Sequence, residues 1–113
     1  MKEIKAYIHN HRIADVIRAL REYGQCSSGG CRNLNVTAVQ SLLKAVDPGE
    51  QHYSLNLAEA VIEESRLELV CDDGQVEELT RIIERAARTG QAEAGWIYVS
   101  DITAAIPIRG GHD

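Results

Sequence analysis

Phenylalanine is absent, and the aromatic residues are Trp96 and four tyrosines, Tyr7, Tyr23, Tyr53 and Tyr98. A core built from this chain must therefore rest on Ile, Leu, Val and Ala. No apolar run approaches the ~20 residues that span a bilayer, so direct membrane insertion is not expected. Basic residues are in deficit, 12 against 17 acidic, for a formal charge of −5. That balance argues against a nucleic-acid partner held by a basic face. There are three cysteines, Cys26, Cys31 and Cys71, which cannot all pair with each other. Met1-Lys2-Glu3 leads straight into a strand-like run with no secretory signal, and a cytoplasmic location is the simplest expectation. What is present is ordinary: 113 residues, 44% hydrophobic and 26% charged, the balance of one soluble globular domain spanning 1–113 rather than a disordered chain.

The periodicity of the apolar residues divides the chain. Ile4, Ala6 and Ile8 alternate with Lys5 and Tyr7, the period-2 pattern of a half-buried strand over Lys2 to Ile8. From Arg12 the period changes, and Ile13, Val16, Ile17 and Leu20 mark a helix closed by Gly24. Gln25 to Asn33 is a small polar loop, and Leu34 to Leu43 reads as a second strand. Lys44 to Ala60, with the turn signal Asp47-Pro48-Gly49, reads as a long mobile loop. Residues 55–64 within and beyond it carry a weak helical period that docking on a partner would develop. Arg66 to Cys71 is a third strand, with Leu67, Leu69 and Cys71 on one face. Asp72 or Asp73 can cap the next helix, whose stripe is Val76, Leu79, Ile82, Ile83 and Ala86 and whose end is Gly90. Gly95 to Ile108 reads as a fourth strand or two short ones.

The order βαββαβ predicts an α+β, ferredoxin-like fold: an antiparallel sheet with both helices on one face. The other face has no cover within the chain. It is expected to carry residues such as Val36 or Val70 and to favour self-association.

In this element order several segments resemble the PII signalling proteins. Met1-Lys2-Glu3-Ile4 with Ile13-Ala14-Asp15-Val16 is similar to their first strand and helix. Val36-Thr37-Ala38-Val39 is similar to their second strand, and Leu67-Glu68-Leu69-Val70 to their third. The strongest match runs from Ile82-Ile83-Glu84-Arg85-Ala86-Ala87-Arg88-Thr89-Gly90 through Gly95-Trp96-Ile97-Tyr98-Val99-Ser100-Asp101 to Ile106-Pro107-Ile108-Arg109. It resembles the family's helix, phosphate-holding B-loop (here 89–96) and last strand. The resemblance implies a homotrimer with adenine nucleotide in each intersubunit cleft and a T-loop (here 44–60) that signals to a target. The residues it places at the nucleotide are Ser41, Leu42, Lys44, Val70, Gly90, Glu93, Ala94, Gly95, Trp96 and Arg109. Glycines at 90 and 95 suit close approach of backbone N–H groups to phosphate.

The departures from the family pattern carry chemistry. Where the family places a phosphate-binding lysine, this chain has Trp96. Of two arginines near the end of the last strand, one position is Pro107 and only Arg109 remains. The arginine opening the T-loop is Lys44. Each missing charge-assisted contact is worth ~1.5–3 kcal/mol, which predicts a preference for ADP or AMP, or weak binding of ATP. The glutamine that helps bind 2-oxoglutarate and magnesium matches Ala45, and the lysine that pairs with 2-oxoglutarate matches Glu64. The tyrosine modified in some members matches Leu57. The pattern is that of a divergent PII-like regulator, with the bicarbonate-responsive, carboxysome-associated members as the nearest functional analogy and a transporter or carbon-metabolism protein as target.

Other readings stand beside this one. Cys26 and Cys31 are two unrelated thiols, a redox disulfide or a weak candidate soft-metal site. With His9, His11 and His52 they would serve a metal-tolerance module like the trimeric divalent-cation tolerance proteins. Cys71 is expected as a small buried hydrophobe. Trp96 stacks on adenine or on a target, or fills core volume at a strand start. Asp47, Glu50, Glu59, Glu63 and Glu64 are expected on a solvated face. His9-Asn10-His11-Arg12 loosely resembles the phosphate cradle of acylphosphatases, an enzyme reading that lacks the rest of the glycine-rich cradle; otherwise Arg12 starts a helix.

Overall fold

The computed structural model describes residues 1–42, 51–57 and 59–111. Among them, β1 (Lys2–His9) is followed by α1 (Asn10–Glu22), β2 (Arg32–Ser41), β3 (Gln51–Ser54), β4 (Glu59–Cys71), α2 (Val76–Ala86) and β5 (Gly95–Asp101). The sheet runs β2-β4-β1-β5 with every pairing antiparallel, and β3 also pairs with β4. This is the predicted ferredoxin-like α+β arrangement.

Alternation along the strands sorts the side chains. Ile4, Ala6 and Ile8 of β1 face the same way as their neighbours Leu67 and Leu69 of β4, and Cys71 joins them. Val16 and Leu20 of α1 and Leu79 and Ile83 of α2 close over this face, and all ten are at most 1% exposed. The aliphatic core anticipated from the lack of phenylalanine is thus formed, and Cys71 is the small buried residue expected.

The opposite face is different. Register places Glu3, Lys5 and Tyr7 of β1 beside Val70, Glu68 and Arg66 of β4 and beside Ser100, Tyr98 and Trp96 of β5. Val70 lies there as predicted, but Val36 does not. It pairs with Leu67, which puts it on the helix side at the edge strand, where it is 42% exposed.

Several boundaries differ from the sequence reading, β2 among them, which runs two residues earlier than Leu34 to Leu43. β4 begins at Glu59, well before the predicted Arg66, and β3 lies inside the segment read as irregular. Residues 59–64, read as potential helix, are therefore strand. Val61 and Ile62 are adjacent and both buried, so the period-2 signal is lost where both faces are covered. β5 stops at Asp101, and residues 102–108 lie outside the sheet. The cause is the partner strand: Asp101 pairs with Lys2, and the last contact is the Ile102 N–H donating to the Met1 carbonyl at 3.1 Å. Lys2 Nζ also binds Asp101, which raises the lysine's pKa through that hydrogen bond and charge.

α2 ends at Ala86 rather than at Gly90. Arg12, at the start of α1, donates from Nε and Nη2 to the Ala86 carbonyl at 3.1 and 2.8 Å, occupying a helix-terminal acceptor. Its Nη1 meets Asp15 at 2.9 Å. Arg12 therefore joins the two helices, and its guanidinium is turned to protein groups rather than to a phosphate cradle. Arg12→Ala should lower stability by about 2 kcal/mol in urea unfolding; a change below about 0.5 kcal/mol would class the contact with ordinary surface pairs. The capping role predicted for Asp72 is observed on the short turn Asp73–Gln75 that leads into α2: Asp72 accepts from the backbone three residues on, and Gln75 Oε1 accepts from the Asp72 N–H at 3.0 Å. Cys26 and Cys31 are joined as a disulfide across the α1–β2 crossover.

Candidate functional site

The strand β5 starts at Gly95, where its backbone comes in close beside β1. Gly95 is level with Ile8, and a Cβ on it would collide with the carbonyl oxygen of Tyr7. Glycine is required because the backbones of loop and central strand touch. Before it, Gly90 sits at φ +91, a left-handed conformation that L side chains rarely adopt. The Thr89 hydroxyl accepts from the Gln91 N–H at 3.3 Å and so shapes the turn. These features hold the loop 89–96 in an arc beyond α2.

The arc lines a cleft of about 440 Å3 together with one end of α2 and the end of β1. Gly90, Glu93, Ala94, Gly95 and Trp96, five of the predicted nucleotide residues, meet here. Tyr7, Ile83, Glu84, Ala87 and Arg88 were not assigned to the nucleotide site from sequence, yet they line it too. Helical spacing brings 84, 87 and 88 to one side, and Tyr7 is level with Trp96. Arg88 is the one basic side chain lining the cleft among the described residues, and it lies 3.6 Å from Glu84. Glu93 adds another carboxylate. The cleft therefore has little positive charge to offer a polyphosphate.

The remaining predicted residues lie elsewhere. Ser41 ends β2 level with Ile62, and Leu42 follows it, 68% exposed. Val70 lies between Glu3 and Arg32 in the sheet. Arg109 is exposed beyond β5. Lys44 and Ala45 fall outside the described residues. One chain does not bring this set together.

Trp96 does not fill the core. It is 50% exposed on the open face, stacked on Tyr98 with ring centroids 6.4 Å apart, and Tyr98 meets Tyr7 edge-on at 6.1 Å. This aromatic row is a ready contact surface.

Glu64 is also misplaced by the sequence reading. Glu59 and Glu63 are exposed as expected, with Glu63 lying 3.4 Å from His52, but Glu64 is 0% exposed. It is level with His9 of β1, 1% exposed, and with Val39 of β2. Neither carboxylate oxygen has a hydrogen bond of ordinary geometry. Burial pushes its pKa above the usual carboxylate value, with the Ser41 hydroxyl acting in the opposite direction. Asp47 and Glu50 lie outside the described residues.

Among the described residues no group of three or more His, Cys, Asp or Glu side chains could hold an ion. His9 and His11 have ring centroids 5.8 Å apart, but His52 pairs with Glu63 instead. As a disulfide, Cys26 and Cys31 offer no thiolate. No helix among the described residues is long and apolar enough to cross a membrane.

Comparison with known proteins agrees with this geometry. Residues 1–112 match the family model described as Nitrogen regulatory protein P-II. The P-II protein of Bradyrhizobium diazoefficiens is 31% identical over 98% of this chain and 94% of its own length. That of Porphyra purpurea is 28% identical over 96% and 92%, and P-II 2 of Methanothermobacter thermautotrophicus is 26% identical over 98% and 91%. With the split βαβ sheet, the glycine-bounded loop and the match along its length, the chain belongs to the P-II family of regulatory proteins.

Proposed function

We propose that this chain acts as a ligand-responsive regulator, by binding rather than by catalysis. It holds adenine nucleotide, ADP or AMP ahead of ATP, in clefts between the subunits of a homotrimer. Bicarbonate is the second ligand, and the segment 44–60 carries the signal to a cytoplasmic target in inorganic-carbon metabolism or transport. The observation that carries the reading is the division of the site. Loop 89–96 lines one cleft, while Ser41, Leu42, Val70 and Arg109 lie away from it. A second copy of the chain would supply what the first lacks, and the uncovered aromatic face of Tyr7, Trp96 and Tyr98 gives it a surface to meet. The preference for few phosphates follows from Trp96, Pro107 and the Glu84 and Glu93 carboxylates, which leave a weakly cationic cleft. Ligand would select one arrangement of the signalling segment through contacts made in that arrangement alone.

Calorimetry tests this. ADP and AMP should bind at least as tightly as ATP, and bicarbonate should strengthen them where 2-oxoglutarate does not. Arg109→Ala should weaken ADP by roughly tenfold to a hundredfold. Absence of binding heat with all three nucleotides, with and without bicarbonate, would overturn the reading. Enhancement by 2-oxoglutarate would overturn the roles assigned to Ala45 and Glu64.

A further inference from the structure

The Cys26–Cys31 bond closes a loop on itself at a mechanical junction. The Cα atoms are 4.5 Å apart at a sequence separation of 5. Both cysteines, with Leu34, pack against the core while remaining partly exposed. The fold around them is tight. The Gly30 N–H donates to the Gln25 carbonyl at 3.0 Å, and a Cβ on Gly30 would lie 2.9 Å from the carbonyls of Gly24 and Gln25. A Cβ on Gly24 would lie 2.8 Å from Leu79 of α2. The next residue, Arg32, reaches Asp72 at 3.1 Å, and Asp72 caps the turn leading into α2. The loop thus ties the end of α1, the start of β2 and the start of α2.

We propose that Cys26 and Cys31 form a thiol–disulfide modification site that sets how firmly the α1–β2 crossover is held. A thiolate of a small dithiol attacks one sulfur, forming a mixed disulfide and releasing the other cysteine as its thiolate. The second thiol of the reductant then displaces the protein sulfur. Two electrons and two protons reach the cysteine pair, and the reductant leaves as its own disulfide. Oxidation by a small-molecule disulfide is the reverse. The third cysteine takes no part, because Cys71 is buried and burial raises its pKa, so exchange stays within the pair. Disulfides in reducing compartments are usually transient and redox-sensing, which suits a partly exposed pair. The inference is independent of the nucleotide reading.

The test combines thiol labelling with hydrogen exchange on the folded full chain. After equilibration with oxidised glutathione, N-ethylmaleimide should label no cysteine. After dithiothreitol it should label Cys26 and Cys31, with Cys71 labelled only on denaturation. Closing so short a loop is worth roughly a 40-fold bias, so amides of residues 24–34 should exchange on that order faster after reduction and recover on reoxidation. A Cys26→Ser, Cys31→Ser chain should match the reduced protein and ignore dithiothreitol. If that variant does not fold, reduced wild type carries the comparison. Labelling of the pair after oxidation, or equal exchange of 24–34 in both states, would overturn the proposal.

Discussion

Gly95→Ala is expected to lower the stability of the folded chain by roughly 3 kcal/mol or more, an overpacking cost at the upper end of what cores absorb. The added methyl meets the Tyr7 carbonyl, which belongs to backbone and cannot rotate away. Tyr7 lies in β1, held by β4 on one side and β5 on the other, so relief requires moving a strand that carries the core residues Ile4, Ala6 and Ile8. Gly90→Ala is the natural control. Its φ of +91 makes alanine costly by about 1–2 kcal/mol, but no atom lies within 4 Å of the new Cβ. Urea midpoints at unchanged m-value give both numbers. Equal losses at the two sites would show that conformation alone, and not the close approach of the two backbones, demands glycine at 95. Because the loop lines the cleft, Gly95→Ala should also disturb ligand binding more than Gly90→Ala does.

Glu64→Gln is expected to raise stability by about 2 kcal/mol at pH 8, the scale of cost for a charged group held away from water without full compensation. The sign follows from linkage. Burial lifts the folded-state pKa of Glu64 above its ordinary 4.5, so the native state resists ionisation more than the unfolded chain does. Below 4.5 both states are protonated and the carboxyl costs nothing. Between 4.5 and the raised folded-state value the unfolded chain ionises while the native state stays protonated, so the penalty develops there and is complete above that value. The advantage of Glu64→Gln should therefore vanish near pH 4.5 and grow toward neutrality. The groups facing Glu64 are His9 across β1, Ser41 near it on β2, and Arg66 and Tyr7 one step along the same face. A pH-independent difference between variant and wild type would assign the effect to shape rather than charge. A loss of stability at pH 8 would mean that these neighbours compensate the carboxylate fully.

Much of the fold was legible because local rules and tertiary packing agreed. Ile4, Ala6 and Ile8 alternate because one face of β1 is buried and the other open. The stripe Leu79 and Ile83 marks α2 because that helix covers the same sheet. The Asp72–Gln75 cap is a four-residue device and needs nothing distant. Where a second element decides, sequence reading failed. β4 hides its period at Val61 and Ile62 because both its faces are covered, and β5 ends where β1 runs out at Lys2. α2 stops at Ala86, whose carbonyl accepts from Arg12, a residue in the other helix. Of the candidate site, the glycines and Trp96 were visible in a motif. Tyr7, Glu84 and Arg88 reach the cleft only through register and helix placement.

The sequence by itself determined the class of fold, the aliphatic core, the shortage of positive charge around the phosphate-type loop and the family. The first two follow from composition and periodicity, which act over a few residues; the last two rest on the resemblance of whole motifs to the PII signalling proteins. Tertiary structure alone decided that Glu64 is buried beside His9, that Trp96 lies on the open face, that Cys26 meets Cys31 and that Gly95 must carry no side chain. Apart from the cysteine pair, which closes within one short loop, each is a fact about segments placed beside one another by strand pairing and packing rather than by the residues around either one.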